Sequence, residues 1–269
     1  MKKQLLALSL TCGALLTIAP TASYAASITK TICDPAADSD NGYGSGMYRG
    51  HFYSWFELSQ NDIKTCDVKI GFYNDAGRHY RAEWKVAKSW GEDAIGGLGW
   101  NRGSKDRKIG YNVGELTSNS SIQKALIALY GWSCKDNVSQ EYYVVDTWKG
   151  SSKYVPWDET INAPATSKGT VRANNATYDV YVVDRDGAQF CGTGNDRQFK
   201  QYWSVRRSPT TIGSNGSIDF RPHVNRWDNA DLGFLPSGLG NGYQILATEI
   251  FGDANIEHEG AVDISLWLR

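Results

Sequence analysis

Glu-Tyr-Tyr-Val-Val-Asp at 141–146 and Tyr-Gln-Ile-Leu-Ala-Thr-Glu-Ile-Phe at 243–251 are β-type runs that each carry one carboxylate among apolar and aromatic residues. Side chains alternate between the two faces of a strand, so Glu141 shares a face with Tyr143. Glu249 lies in the same kind of setting in the second run. Charged residues rarely occupy an aromatic-rich sheet face without a task. The two runs therefore predict a sheet that carries a pair of functional carboxylates.

Strand-like runs of this kind follow one another from residue 51 onward, separated by turn residues at short spacing. Many short strands with few breaks are typical of a β-sandwich or barrel. Residues 221–232 differ, because a proline stands near their start and Val224, Trp227 and Leu232 are spaced along one helical face. We therefore predict an all-β fold with one short helix. The predicted strands span 51–58, 67–73, 79–86, 125–132, 140–148, 177–185, 198–207, 216–220, 243–251 and 261–268.

The first 25 residues are typical of a secretory signal peptide, with Lys2 and Lys3 before an apolar core and small residues before the cleavage site at Ala25. Without those two lysines, 26 of the 28 basic residues stand against 29 acidic ones, a net charge near −3. This balance excludes the basic footprint of a nucleic-acid-binding protein. No later apolar run is long enough to span a membrane. We predict a secreted monomer without nucleic-acid or membrane partners.

The domain organisation follows from composition. Residues 26–50 are rich in Gly, Ser and Asp, and we expect an irregular lead-in there. Neither a repeat nor a linker divides 51–269, so we expect one catalytic β domain over that range. Residues 149–176 are rich in turn residues and predict a long connection.

Four cysteines remain after the signal peptide, and an oxidising compartment would let them form two disulfides. Their pairing is open, because four cysteines allow three connectivities. They do not form a Cys-x-x-Cys motif and the chain has no cluster of histidines, so we predict neither a metal site nor a cofactor. The four are Cys33, Cys66, Cys134 and Cys191.

Aromatic and polar residues lie in the runs that flank the two carboxylates. The run that ends at Trp132 turns directly into the strand of Glu141, so these two strands should be antiparallel neighbours. Aromatic rings stack on pyranose faces, while amides and guanidinium groups bond to hydroxyls, so the pattern predicts a sugar site. Two carboxylates in such a site suit glycosidic cleavage. The flanking residues are Tyr130, Trp132, Arg185, Gln201 and Trp203.

Several of these runs, in this order and at about this spacing, resemble glycoside hydrolase family 11, the endo-β-1,4-xylanases. The similarity covers about 51 to 267 and is closest from 125 to 251. The runs are Gly-Leu-Gly-Trp (97–100), Ala-Leu-Tyr-Gly-Trp (128–132), Glu-Tyr-Tyr-Val-Val-Asp (141–146), Tyr-Asp-Val-Tyr-Val-Val-Asp-Arg (178–185), Gln-Tyr-Trp-Ser-Val-Arg-Arg-Ser (201–208), His-Val-Asn-Arg-Trp (223–227) and Tyr-Gln-Ile-Leu-Ala-Thr-Glu (243–249).

The resemblance implies a β-jelly roll of two strongly curved, mostly antiparallel sheets, shaped like a partly closed right hand whose cleft binds a xylan chain. By position, Glu141 matches the nucleophile and Glu249 the acid/base of a retaining mechanism. Tyr143 matches a tyrosine beside the nucleophile, and Tyr243 a sugar-contacting tyrosine. The remaining residues that the resemblance places in the cleft are Tyr130, Arg185 and Gln201, while His223 matches a buried structural histidine. Trp132 and Trp203 are assigned to substrate binding from the pattern of their runs.

The chain departs from the family pattern in three places. The thumb loop after Arg185 lacks the usual Pro-Ser-Ile tip, and Cys191 within it would be tethered to another loop, with Cys134 as the candidate partner. Near the N-terminus the two platform aromatics are exchanged, so alternation puts either Trp55 or Phe56 in the cleft; we assign Phe56. The position beside the acid/base, usually Asn or Asp, falls on Trp90 or Val86.

Two other functions stay open at the level of sequence. One is a related jelly-roll endoglucanase, as in family 12, with the altered thumb and platform shifting the substrate. The other is a carbohydrate-binding homologue without catalysis, which would have no need of both Glu141 and Glu249. The acids Asp146 and Asp184 are interpreted as ordinary residues at strand ends.

Overall fold

The computed structural model describes residues 28–32, 43–58, 68–73, 79–86, 93–119, 125–149, 153–187, 190–191, 198–252 and 257–269. The predicted signal peptide, Cys33, Cys66 and Trp90 lie outside these ranges. Within them, none of the helices has the length and apolar character that crossing a membrane requires.

Two large sheets make up most of the protein, with strands numbered in chain order. The six-stranded sheet has the spatial order β1 (Ile28–Ile32), β4 (Val68–Tyr73), β5 (His79–Val86), β17 (His258–Leu268), β7 (Lys108–Ser118) and β15 (Asn215–Asp219). The nine-stranded sheet has the order β12 (Thr170–Ala173), β13 (Ala176–Asp186), β14 (Gln198–Arg206), β9 (Val138–Lys149), β8 (Ala125–Lys135), β16 (Gln244–Phe251), β6 (Asp93–Trp100), β3 (His51–Leu58) and β2 (Tyr43–Tyr48). A hairpin of β10 (Trp157–Asp158) and β11 (Ala163–Pro164), the helix α1 (Arg221–Trp227) and a 3₁₀ turn (Pro236–Asn241) complete the described elements.

The all-β prediction is confirmed. Described strand pairs are antiparallel except β9 with β14, which run parallel. Strands β8 and β9 are antiparallel neighbours, as their short connection predicted. Apolar side chains of both sheets form an inner core between them, and a second apolar cluster covers the outer face of the nine-stranded sheet. That sheet is therefore buried on its inner face and presents an aromatic surface on its outer face.

The prediction of an irregular lead-in over 26–50 is wrong, because β1 and β2 lie within it. In β2 the glycines that suggested a loop make room for rings of the neighbouring strand. A Cβ added at Gly44 would lie 2.5 Å from the indole nitrogen of Trp55, and one at Gly46 would lie 2.6 Å from the hydroxyl of Tyr53. Glycine here is a packing requirement of a strand and does not mark a turn.

The predicted helix exists but ends at Trp227, five residues earlier than expected. Beyond it, the backbone N–H groups of Leu232 and Gly233 both bond to the carbonyl of Asn229, at 2.9 and 3.1 Å, and form a separate turn. Asp and Asn compete for backbone hydrogen bonds and favour such turns over a continued helix. His223 within the helix is fully buried, as the resemblance implied.

The connection over 149–176 also contains more structure than predicted, namely β10, β11 and β12. Asp158 holds the hairpin turn between β10 and β11, because its carboxylate accepts hydrogen bonds from the backbone N–H (3.0 Å) and the hydroxyl (2.6 Å) of Thr160. This turn carries Glu159, which reaches Arg185 at the end of β13. The connection therefore contributes a side chain to the outer face of the sheet.

Candidate active site

The two carboxylates found in the sequence meet on the outer face of the nine-stranded sheet. Glu141 on β9 and Glu249 on β16 flank β8, which lies between them, and their exposed fractions are 5% and 2%. The hydroxyl of Tyr143 lies 3.1 Å from Oε1 of Glu141 and 3.1 Å from Oε1 of Glu249. These two oxygens are therefore no farther apart than twice that distance.

Glu141 is surrounded by hydrogen-bond donors. The hydroxyls of Tyr130 and Tyr143 donate to its Oε1 at 2.6 and 3.1 Å, and the amide of Gln201 donates to its Oε2 at 2.5 Å. Burial raises the pKa of Glu141, and these three donors lower it because they stabilise the ionised form. The pKa of Glu141 is raised overall by burial, and the three donors limit that rise.

Glu249 has the opposite surroundings. Its Oε2 is buried and has no hydrogen-bond partner among the described residues. Burial raises its pKa well above the ordinary glutamate value, and the nearby charges of Asp93 and Glu141 raise it further. The pKa of Glu249 is therefore raised by nearby charges as well as by burial.

The bridging hydroxyl of Tyr143 is consistent with this division. A phenol has one hydrogen to donate, so it cannot donate to both carboxyl groups at once. If Glu249 is protonated, it donates to the Tyr143 oxygen while Tyr143 donates to Glu141. The three groups then form a directed chain in which Glu249 is the acid and Glu141 the anion.

A third carboxyl group, Asp93, belongs to this site and was missed in the sequence. It begins β6 and lies on the same face as Ile95, which is paired with Glu249. Its Oδ1 is buried without a described partner, and burial and the charge of Glu141 raise its pKa. Asp93 therefore lies where the family pattern has Asn or Asp beside the acid/base. Val86 does not, because it lies in the inner core on β5; Trp90 lies outside the described residues.

Arg185 and Gln201 link the nucleophile side of the site to the β10–β11 hairpin. Nε of Arg185 donates to Oε1 of Gln201 at 2.8 Å, and the amide of Gln201 in turn bonds Glu141. Nη1 of Arg185 pairs with Glu159 at 2.7 Å. The guanidinium charge lowers the pKa of both Glu141 and Glu249. Arg185 thus orients Gln201 and partly offsets the negative charge of the site.

Trp203 packs against Tyr143 in the site. Its ring stacks on that of Tyr143 with centroids 3.6 Å apart and planes 2° from parallel, and it is 1% exposed. Tyr154, before β10, lies 5.6 Å from Trp203 and stacks on Phe251 at 5.7 Å. We predicted that Trp203 contacts sugar, but these contacts assign it to holding Tyr143 in place. Tyr154 is a further site residue that sequence reasoning missed.

The remaining predicted residues form an aromatic surface beside Glu141. The indole N–H of Trp132 donates to the hydroxyl of Tyr130 at 2.8 Å, and the ring of Tyr243 lies 6.0 Å from that of Tyr130. Phe56 lies on the outer face of β3, paired with Ile95 of β6, whereas Trp55 is buried in the inner core. Phe56 and not Trp55 therefore belongs to this surface.

The pairing implied for Cys191 and Cys134 is present as a disulfide with Cα atoms 6.0 Å apart. It joins the thumb loop, between β13 and β14, to the end of β8. Cys33 and Cys66 lie outside the described residues.

The arrangement suits the binding and cleavage of a sugar chain. Flat rings supply stacking surfaces, while Arg185 and Gln201 supply polar groups. A protonated carboxyl group with a free oxygen and an ionised carboxylate nearby are the two groups that glycosidic cleavage requires.

Comparison with known proteins agrees with this chemistry. The sequence model described as glycosyl hydrolases family 11 matches residues 50–259, more than three quarters of the chain.

Individual relatives give the same result. The endo-1,4-beta-xylanase 11A of Humicola insolens is 33% identical over 218 residues, which cover 80% of this chain and 83% of that protein. The endo-1,4-beta-xylanase A of Gibberella zeae is 32% identical over 215 residues, covering 77% and 75%. Among solved structures, an endo-1,4-beta-xylanase from Trichoderma reesei matches with a TM-score of 0.57 and 25% identity, covering 83% of this chain and 99% of that one.

Proposed function

The chain belongs to family 11 of the glycosyl hydrolases, and we propose that it is an endo-β-1,4-xylanase with Glu141 as nucleophile and Glu249 as acid/base. The observation that carries the assignment of roles is the unequal bonding of the two carboxyl groups. Glu141 accepts three hydrogen bonds, whereas Glu249 keeps one buried oxygen without a described partner.

In the first step Glu141 attacks the anomeric carbon of the sugar at the cleavage point. Glu249 delivers its proton to the departing glycosidic oxygen, so that no unprotonated alkoxide has to leave. A covalent bond forms between Glu141 and the sugar while the glycosidic bond breaks. Tyr130 and Gln201, bonded to the two oxygens of Glu141, hold the carboxylate in position for the attack.

The second step returns the enzyme to its starting state. Once Glu141 is esterified its charge is gone, so one of the charges that raise the pKa of Glu249 is removed. Glu249 then becomes a base that takes a proton from water, and the water attacks the anomeric carbon and releases Glu141. Two displacements at one carbon retain its configuration.

The spacing of the two carboxyl groups supports the retaining mechanism. Retaining glycosidases hold the pair about 5–5.5 Å apart, while inverting ones leave about 6.5–9.5 Å for a water molecule. In this site a single phenol oxygen, that of Tyr143, touches both Glu141 and Glu249 at 3.1 Å. That bridge fits the shorter class.

The experiment is reducing-end release from xylan, β-glucan and carboxymethylcellulose by the wild-type chain and by Glu141→Gln and Glu249→Gln. Asp184→Asn is the matched control, because Asp184 is an exposed carboxylate of the same sheet, paired with Lys200 at 2.7 Å. We expect activity on xylan that both glutamate variants lose and the control keeps. Activity on glucan alone would support the endoglucanase alternative. Tight polysaccharide binding without turnover in the wild type would support a binding protein.

We also propose that the protein is a secreted monomer, that residues 1–25 are its signal peptide and that 51–269 form one catalytic domain. The Cys134–Cys191 disulfide supports export, since such bonds persist in oxidising compartments. Intact mass of the protein recovered from the culture medium and size-exclusion chromatography test this. A mass that still includes the first 25 residues, or an elution volume of a dimer, would contradict it.

A further inference from the structure

Cys191 fixes the thumb loop to the strand ends beside the site. Its disulfide to Cys134 joins it to the end of β8, and Ser139 at the start of β9 binds its backbone twice. The hydroxyl of Ser139 accepts from the N–H of Cys191 at 2.8 Å and donates to its carbonyl at 2.7 Å; Ser139 itself is 2% exposed. The position of residue 191 is therefore set by one covalent bond and two hydrogen bonds.

The neighbouring residue, Phe190, lies on the aromatic surface. Its ring centroid is 6.1 Å from that of Trp132, with planes 23° apart, and 5.5 Å from that of Tyr243, nearly at right angles. Trp132 in turn bonds Tyr130, which bonds Glu141. Phe190 is thus linked to Glu141 through Trp132 and Tyr130, and it packs on rings that the sequence analysis places in the sugar-binding cleft.

The gap between Phe190 and Trp132 is too small for a sugar. Carbon atoms in contact lie about 3.5–4 Å apart, so a pyranose between two rings needs about 7–8 Å between them. The observed 6.1 Å falls short of this. A xylose unit cannot stack on the face of Trp132 that Phe190 covers unless Phe190 moves, and the bonds of Cys191 oppose that movement.

We propose that Phe190 is a specificity-determining residue that occupies the place of one sugar unit at this end of the cleft. The inference rests on the proposed function for the identity of the sugar chain. It predicts that a xylan fragment long enough to reach past Trp132 binds no more tightly than one that ends there. Phe190 is 43% exposed, so replacing it should not unfold the protein.

The experiment is calorimetric binding of xylotetraose, xylopentaose and xylohexaose to the Glu249→Gln variant, with and without Phe190→Ala. The inactive background keeps the ligands intact, and binding does not depend on the proposed chemistry. We expect Phe190→Ala to tighten the longest ligand about tenfold, a typical effect of one added stacking contact, and to leave the shortest unchanged. Phe190→Tyr, which keeps the ring, should bind like the parent.

The second arm follows cleavage of end-labelled xylohexaose with Glu249 restored. Phe190→Ala should move the main cleavage point by one sugar unit, and the Cys134→Ala/Cys191→Ala pair should move it partly in the same direction. Equal affinities for all lengths with an unchanged cleavage point would overturn the proposal. Weaker binding at every length would overturn it too, because Phe190 would then be a sugar platform. If binding changes as expected but wild-type xylohexaose stays uncut, the proposed function fails and this inference stands.

Discussion

Buried carboxyl groups lie on both faces of the nine-stranded sheet, and their hydrogen bonding and neighbouring charges differ. On the inner face Asp146 is fully buried. It accepts hydrogen bonds from Tyr111 and Tyr178, from Thr210 at 2.9 Å, and from Arg206, whose Nη1 is 3.1 Å from both of its oxygens.

On the outer face, Glu141, Glu249 and Asp93 share one site, and each has like charges nearby. The charges of Asp93 and Glu141 raise the pKa of Glu249, and that of Glu141 raises the pKa of Asp93. Glu249 and Asp93 each keep one buried oxygen without a described partner. Arg185 is the cation that offsets their charge, and it is shared with Glu159.

The contrast separates a structural carboxylate from the carboxyl groups of the proposed active site. Asp146 connects β7 of one sheet with β9 and β13 of the other through hydrogen bonds from Tyr111 and Tyr178. The outer site leaves groups unsatisfied, so their proton affinities depend on neighbours that change charge during a reaction. Such incomplete bonding costs stability and is typical of functional sites.

The largest effect that this contrast predicts is on turnover. Glu141→Gln removes the nucleophile but keeps the shape, so we expect kcat on xylan to fall about 10⁴-fold or more. The melting temperature should stay the same or rise, because an unfavourable buried charge is gone. Reducing-end assays and thermal unfolding of the same preparation measure both. A variant that keeps a tenth of the activity, or one that unfolds, would place Glu141 in the structural class.

Asp146→Asn should do the reverse. It leaves Arg206 without its anion, and breaking a buried ion pair costs about 3–5 kcal/mol in the free energy of unfolding. Per folded molecule kcat should be nearly unchanged, because Asp146 lies on the inner face. Urea unfolding followed by tryptophan fluorescence gives the stability, and initial rates at low temperature give kcat. Stability equal to that of the wild type would remove the distinction between the two groups.

Glu249→Gln should change how stability depends on pH. The folded pKa of Glu249 is raised, so its contribution to stability is fully present below its ordinary value of 4.5 and is lost as the pH rises through the folded pKa. Glutamine imitates the neutral form at every pH. We expect the variant to be at least about 1 kcal/mol more stable, relative to wild type, at pH 8 than at pH 4, as measured by urea unfolding. A relative gain in acid would mean that Glu249 is ionised in the folded protein.

Asp93→Asn should move the alkaline side of the pH profile. The charge of Asp93 is one of those that raise the pKa of Glu249, the proposed acid, and asparagine does not carry it. We therefore expect the alkaline limb of kcat/KM to shift downward by about one pH unit. An upward shift would show that Asp93 competes with Glu249 for the proton that the glycosidic oxygen must receive.

The smallest effect concerns the hairpin. Glu159 is half exposed, and its pair with Arg185 should contribute less than about 1 kcal/mol. For Glu159→Gln we expect a two- to threefold change in kcat/KM at low salt that disappears at high salt. Dissolved ions screen exposed charge pairs, and the Debye screening length is already down to about 10 Å at 0.1 M. A larger change that salt does not remove would mean that the hairpin positions Arg185 for catalysis.

The sequence predicted the site residues whose own strand shows that they are unusual. Glu141 and Glu249 stand out because alternation places each carboxylate among aromatic residues. Asp93 was missed because the glycines of β6 do not look like a strand, and the register of β6 against β16 is what brings it to Glu249. Asp146 looked like an ordinary strand-end acid, since its partners come from elements far apart in the chain.

The contacts of the thumb loop could not be predicted from the sequence either. The similarity to family 11 suggested a partner for Cys191, but the stacking of Phe190 on Trp132 depends on how the loop folds back over the sheet. Ser139 carries no signal in the sequence for binding that loop. Long-range geometry of this kind does not follow from periodicity or motif spacing.

The most direct measurement is trapping of the glycosyl-enzyme. An activated 2-deoxy-2-fluoro-xylobioside slows both steps but speeds the first through its good leaving group, so the covalent intermediate accumulates. We predict an increase in intact mass by one fluoroglycosyl group, mapped by peptide analysis to Glu141, and unchanged labelling in Asp184→Asn. A label on Glu249, or no label with inverted products, would contradict the assignment of Glu141 as nucleophile and Glu249 as acid/base.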